Sequence, residues 1–512
     1  MLAQLSQFNG FVRHHVIEHP FVVKHPNRSI AIAIALLALF SRFFLIGHPG
    51  SAVFDEVHFN YFAGFYYTGQ YYYDIHPPLA KLLIALSALP FGGIAPDEVI
   101  RTISTAYPTD IYMAERSLPA IFGSILPVIL FLLAKEFNFS TKAAVLASLL
   151  VIFDNAFLIQ SRLILLDSML WTFGFIALYF FVIARRSNNW LLFCLAAVFA
   201  GCSLSVKWIG VSFLGLIGLI IIFDWLRSLW WKGWQFEHFG KGCAFLAISI
   251  CTYMTVFYIH FALLPISHQQ GDQFMTPSFR STLTGSEYHD AEGTVESFKC
   301  PTVYRNNLHK GMQSFHVKAQ DKKLCQIEYK PYERPGFIAK FLELNKVMYA
   351  TNQGLSASHP DGSSWHEWPF MHKPLYYWFQ DGARIYLIGN PLVWWLSALA
   401  VAVLLLGHFK MPHWRDNQAF WILGIGFISN VLPFVIVTRV MFMYHYLTAL
   451  CFGVLLCAYL IDRLNILEKK YAFPAFIGLI ILGFLMISPL TYGVNWYGSD
   501  MLWFLRAFGW HP

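Results

Sequence analysis

Residues 54–81 read FDEVHFNYFAGFYYTGQYYYDIHPPLAK. They put two adjacent carboxylates, Asp55 and Glu56, into a chain otherwise built from apolar runs. An aromatic segment, Tyr66–Tyr73, follows, and then a stiff Asp74-Ile75-His76-Pro77-Pro78 turn. The apolar run Ile30–Ile46 ends just before this stretch and has the length of a membrane span. The stretch therefore reads as an active-site loop lying on a membrane face. Tyr61, Phe62, Phe65 and Tyr66 recur at helical spacing, which predicts a helix in the interface plane. His76-Pro77-Pro78 ends that helix, and Leu79–Leu89 predicts another, too short to span.

The composition around the loop agrees. The 512 residues are 57% hydrophobic and 13% charged, with a mean hydropathy of +0.50. Soluble domains carry about a quarter charged residues, so the class is a polytopic membrane protein. Aromatics at 18% fit interface belts of Trp and Tyr. The net charge of +7 is not a nucleic-acid signal, because most Lys and Arg sit in short breaks between apolar runs. The polar N-terminus and long first apolar run suit a retained span better than a cleaved signal core. There is no repeat and no low-complexity tract.

The predicted fold is an all-α polytopic membrane protein of about eleven transmembrane helices. It has interfacial helices in the first outer loop and one long outer loop between spans 7 and 8. Residues 1–28 form a cytoplasmic leader. Spans 1–7 occupy 29–264, with the first outer loop at 48–115. The long outer loop is 265–384, spans 8–11 fill 385–490, and 491–512 form an outer tail. The spans fall near 29–47, 117–134, 143–160, 164–184, 190–206, 208–224, 243–264, 386–407, 418–437, 440–461 and 473–490. With that count the leader, Lys135/Lys142, Arg185/Arg186, Arg227–Lys241, Lys410/Arg415 and Arg463/Lys469/Lys470 share the cytoplasmic side. Both long loops then face outside. The protein is expected in the cell (inner) membrane, with its site on the extracytoplasmic face.

Asp55 and Glu56 point about 100° apart on a helix, so one can face a reaction centre while the other supports the loop. A carboxylate at the interface, beside His58, can accept a proton from a hydroxyl nucleophile. A bare Asp-Glu pair also suits a solvated loop start. Arg116, Arg162, Lys207 and Arg439 lie at outer ends of apolar runs. A charge inside a span costs about 2.5–3.5 kcal/mol on insertion scales, so each either snorkels or faces a polar cavity. Together they suggest a site for an anionic headgroup. Asp167 is the other carboxylate near an outer end, about 140° round a helix from Arg162. His359, His366 and His372 match no standard zinc spacing and read as polar loop histidines, so no metal is expected. No Walker loop, GxSxG, HExxH or credible GxGxxG occurs, and no cofactor is predicted. Six cysteines, Cys194, Cys202, Cys243, Cys251, Cys451 and Cys457, read as small core residues. Cys300 and Cys325 lie in the long loop, where a disulfide is open.

Motifs along most of the chain resemble the protein O-mannosyltransferases. They are FDEVHF (54–59), DIHPPLAK (74–81), AERSLPAIFG (114–123), SRLILLDSML (161–170), SVKWIG (205–210) and GDQFMTPSFRSTLTG (271–285), then SHPDGSSWHEWP (358–369), GNPLVWW (389–395) and RVMFMYHYLTAL (439–450). The resemblance implies eleven spans with a cytoplasmic N-terminus. It also implies inverting transfer of mannose from a polyprenyl- or dolichyl-phosphate carrier to Ser or Thr hydroxyls of secreted proteins. It assigns Asp55 and Glu56 as the acidic pair, with Asp55 the base, and Arg116 as the arginine linked to donor phosphate. His76, Arg162, Asp167, Lys207, His359 and Arg439 are implied to line the site. The long loop is too short for the complete β-trefoil MIR domain of eukaryotic members, which implies a short, bacterial-type member. HYLTAL has Thr448 where the family commonly has Pro. The expected partners are the lipid-linked donor, the acceptor and membrane lipid, with a dimer left open and no nucleic acid. One alternative moves another sugar from a lipid carrier to lipid A or an envelope glycan. An alternative of another class is a transporter or flippase, which would place charges near mid-span and show inverted repeats.

Overall fold

The computed structural model describes residues 24–232, 236–289, 294–299, 326–330, 332–356, 358–407 and 418–496. Fifteen helices of eight or more residues are described, numbered here in chain order. Helix α1 is Pro26–Phe43, α2 Glu56–Thr68, α3 Leu79–Ala88, α4 Ile111–Glu136, α5 Thr141–Ile152, α6 Asn155–Arg162, α7 Asp167–Ser187 and α8 Trp190–Val206. Then come α9 Val211–Lys232, α10 Phe236–Leu263, α11 Phe337–Gly354, α12 Pro391–Gly407, α13 Gln418–Ser429, α14 Leu447–Arg463 and α15 Ala472–Tyr492. Among the described residues eight helices are long and apolar enough to cross a membrane, or nine if the bent pair α5–α6 counts as one. Shorter apolar helices of 17 residues, α8 and α12, fall at two further expected spans. Two antiparallel hairpins depart from the all-α expectation: β1 (Thr294–Lys299) with β2 (Gln326–Lys330), and β3 (Leu375–Gln380) with β4 (Ala383–Leu387). Cys300 and Cys325 lie outside the described residues. Cys451 and Cys457 are buried as expected of core cysteines, whereas Cys243 and Cys251 are exposed on α10. Their small apolar side chains suit a lipid-facing surface as well as a core.

The chain divides into two units, 65–75 with 257–354, and the remainder. In the larger unit α4 packs against α1, α5 and α7, and α14 packs against α12 and α13. Helix α14 is buried along nearly its whole length. The span read at 143–160 is broken instead of continuous: α5 and α6 meet at 60°. The cause is Asp154, whose carboxylate caps α6 by accepting from the Phe157 N–H (3.0 Å). It also takes the Asn390 N–H (2.8 Å) and the Trp394 indole N–H (2.9 Å). Gly389 is required there, because a Cβ would run into the Trp394 ring. Carbonyls freed at the end of α5 are taken by the buried Arg42 of α1, which donates to Val151 O (3.0 Å) and Ile152 O (3.2 Å). Broken backbone at membrane depth is tolerated where protein groups satisfy it in this way.

The smaller unit is built on aromatic contacts. Phe341 of α11 meets Phe257 edge-on, at 5.2 Å between ring centroids. The Tyr66 hydroxyl bridges Tyr72 (2.9 Å) and His260 Nδ1 (2.8 Å). Gly271 lets its backbone lie directly on Tyr71, where a Cβ would collide.

Candidate active site

Glu56 and Arg116 form a buried bidentate ion pair, with both contacts at 2.7 Å. The remaining Arg116 donors go to backbone carbonyls: Nη1 to Ile46 (3.2 Å) and Pro49 (2.8 Å), and Nη2 to Ser51 (3.2 Å). All five N–H groups of the guanidinium are thereby used. Glu56 also accepts from the Val53 N–H (3.0 Å), the Tyr107 hydroxyl (3.2 Å) and the Ile164 N–H (2.9 Å). This knot ties the first outer loop to α4 and to the α6–α7 connection. It corrects two expectations, because Arg116 has no donor left for a phosphate and Glu56 no lone pair left for a proton. Arg162 is buried too. It donates to the carbonyls of Thr491 (3.3 Å), Phe44 (3.3 Å), His48 (3.3 Å) and Leu45, and its guanidinium lies over the Tyr492 ring. Its side chain ties the end of α6 to the ends of α1 and α15.

The partly exposed Asp55 has a different setting. It opens α2, with its carbonyl accepting from the His58 (2.9 Å) and Phe59 (3.1 Å) N–H groups. Phe54 before it is left-handed, at φ +46°, a conformation that costs about 1–2 kcal/mol for a residue with a Cβ. The Phe54 ring stacks on Tyr377 of β3 at 4.1 Å and 7°, and its N–H donates to Tyr377 O (3.2 Å). Tyr377 is buried, and its phenol is pushed well above the ordinary range by burial first and then by the charges of Asp55 and Asp167.

Asp167, at the first turn of α7, pairs with Lys207 at the end of α8 (2.8 Å). The Lys207 ammonium sits 5.3 Å from the Tyr444 ring centre. Burial first, then the charges of Lys207, Lys81 and Arg439, hold the His76 imidazole far below the usual histidine range, so it is neutral at pH 7. Lys81 is buried and donates to His76 O (2.7 Å). Arg439 is half-buried and pairs with no described carboxylate. His359 is exposed, with its ring 5.1 Å from Phe442. His58 is exposed on the first turn of α2.

The structure thus pairs Asp167 with Lys207, sets the charges of Lys207 and Arg439 on His76 and those of Asp55 and Asp167 on Tyr377, leaves His359 and His58 exposed, and ties Glu56, Arg116 and Arg162 to neighbouring segments. Lys81, Tyr377, Tyr444 and His445 went unassigned in the sequence. Three of them stand inside motifs quoted above; Tyr377 has no local signal. Among the described residues no three His, Cys, Asp or Glu side chains cluster as a metal site.

Comparison with known proteins gives a consistent result. Residues 32–265 match the family model described as dolichyl-phosphate-mannose-protein mannosyltransferase. Residues 337–506 match that of the C-terminal four-transmembrane region of protein O-mannosyltransferase. Dolichyl-phosphate-mannose–protein mannosyltransferase 4 of Candida albicans is 34% identical over 312 residues, covering 57% of this chain and 41% of that protein. Mannosyltransferase 3 of Saccharomyces cerevisiae is 22% identical over 685 residues, covering 91% and 89%. A solved Saccharomyces cerevisiae Pmt1–Pmt2 complex bound to the sugar donor contains a chain that superimposes with a TM-score of 0.81 at 20% identity, over 95% of this chain and 93% of that one.

Proposed function

The chain belongs to the protein O-mannosyltransferase family, and on that premise we propose that it moves mannose, with inversion, from a polyprenyl- or dolichyl-phosphate carrier to Ser or Thr hydroxyls of proteins on the outer membrane face. The observations that carry this reading are a partly exposed carboxylate, Asp55, on a loop stacked against Tyr377, and three cations, Lys207, Lys81 and Arg439, whose charges act on the buried, neutral His76.

In the reaction the acceptor hydroxyl oxygen attacks the anomeric carbon. The bond from that carbon to the phosphate oxygen breaks, and the phosphate leaves with the electron pair. Asp55 takes the hydroxyl proton, a contribution of typically ~10²–10⁴-fold. A lipid phosphate is already a fair leaving group and needs charge stabilisation more than a strong acid. Arg439 supplies it most directly, since no ion pair with a described carboxylate engages its guanidinium. Lys207 is shared with Asp167, which keeps the ammonium in place and moderates its pull on the phosphate. Glu56 and Arg116 act through the backbone, holding Asp55 where the sugar arrives.

The test uses purified protein in detergent, polyprenyl-phosphate-mannose and a Ser/Thr-rich peptide, with wild type beside Asp55→Asn. Transfer by the wild type and a loss of about 10²-fold or more in the variant is expected. Equal transfer by both would remove Asp55 as the base. Absence of transfer by the wild type, with transfer from another sugar donor or to a glycan, would overturn the substrate assignment.

A further inference from the structure

Glu56, Asn60 and Gly64 recur at every fourth residue of α2 and so share one face. That face is the seat of the helix. Glu56 and Asn60 are buried, and at Gly64 a Cβ would collide with Ile94 O. The first contact of the face is the Glu56–Arg116 ion pair. One turn further on, Asn60 Nδ2 donates to Glu115 Oε2 at 2.5 Å. Two residues a turn apart on α2 thus meet two consecutive residues of α4.

The second contact is incomplete if Glu115 is a carboxylate. Glu115 is fully buried and its Oε1 has no partner, and neither has the buried Asn60 Oδ1. Both atoms are acceptors, and buried polar atoms are nearly always paired. The charges that act on Glu115 are those of Glu56 and Arg116. Arg116 spends all five N–H groups on Glu56 and on backbone carbonyls. An isolated carboxylate out of water is so costly that the group neutralises instead. A carboxylic acid, unlike a carboxylate, has an O–H to give. Acid and side-chain amide are both planar, and each offers a donor beside an acceptor, so the two can close a ring of two hydrogen bonds. One of these is in place at 2.5 Å, and the two unpartnered atoms are those the other requires.

We infer that Glu115 is a positioning residue that carries a proton and donates it to Asn60 Oδ1, closing an uncharged joint between α2 and α4 beside the ionic one. Two joints a turn apart fix the axis of α2 as well as its place, and Asp55 opens that helix. The bearing on catalysis rests on the reading of Asp55 as the base, but the joint is tested without turnover. A protonated carboxyl has an infrared C=O stretch distinct from the bands of carboxylate and amide. The difference spectrum of wild type against Glu115→Gln, at neutral pH in an ester-free detergent, should contain that acid band.

Glutamine replaces the acid O–H with an N–H and keeps the ring, so Glu115→Gln should hold the unfolding midpoint and kcat of the wild type. Glu115→Met and Asn60→Leu each strand one half of the joint, and should lower kcat by roughly 10- to 100-fold with donor KM unchanged. If these two do not fold, the spectrum and the Gln variant carry the test. Carboxylate bands in place of the acid band overturn the inference. So does a Glu115→Gln protein that falls as far as Glu115→Met, because the acid would then supply something other than the O–H of the ring. Full kcat in both Glu115→Met and Asn60→Leu removes the positioning role. An acid band in a protein without transfer activity would instead sink the mannosyl reading and leave the joint standing.

Discussion

Two arginines at outer span ends, Arg116 and Arg439, look alike in sequence and behave differently in space. Arg116 is buried and bidentate to Glu56, whereas Arg439 is half-buried beside His76. Breaking a buried ion pair costs about 3–5 kcal/mol because one charge is left unpaired. Arg116→Ala should therefore lower the thermal unfolding midpoint sharply, and Glu56→Leu with Arg116→Met should recover part of the loss. Arg439→Ala should keep the midpoint and raise donor KM. An unaltered midpoint in Arg116→Ala, with weakened donor use, would return that residue to the phosphate site. The reason sequence reading put both on the donor is physical. Position along a span predicts depth, but besides Glu56 the acceptors that absorb Arg116 and Arg162 are carbonyls of residues 44–51 and 491, which leave no side-chain signature. Tyr377 was hidden for another reason: in a chain with 18% aromatic residues, one more tyrosine carries no information until a bulge turns it.

At the level of elements, the spans were legible because apolar runs of that length have few other uses. The bend between α5 and α6 was not, since 143–160 reads as one apolar run with a single Asp in it. What decides the bend is distant in sequence: Asn390 and Trp394 close on Asp154, and Gly389 leaves the indole its place. Gly389→Ala should push the Trp394 N–H off the carboxylate and cost about 1–3 kcal/mol, read as a lower unfolding midpoint. A midpoint equal to wild type would show that the bend does not depend on this contact. The hairpin of β3 and β4 was missed because its aromatics, Tyr376 to Phe379, are consecutive and sit in a long polar loop, so no alternation announces a strand.

For the molecule as a whole, the acidic pair and the site cations gather at one end of the helices. Ion pairs such as Arg186 with Glu136 and Lys142 with Glu468 join segments at the other. Orientation assigned from basic residues puts the site end outside. A single-cysteine variant His359→Cys, at an exposed position, should therefore react with a membrane-impermeant maleimide added to intact cells. Labelling only after the membrane is opened would invert the topology and with it the side on which acceptors are met.

Arg42 bears on how such a molecule is made. Its guanidinium donates to carbonyls at the end of α5, more than a hundred residues later in the chain. Chains emerge N-terminus first, so α1 enters the bilayer before those carbonyls exist. Near the end of its helix Arg42 can meanwhile reach headgroup water by stretching outward. Docking of the broken span then withdraws it from the lipid surface. On this reading an early helix of the protein waits, tethered at the interface by one charge, for a later one to arrive.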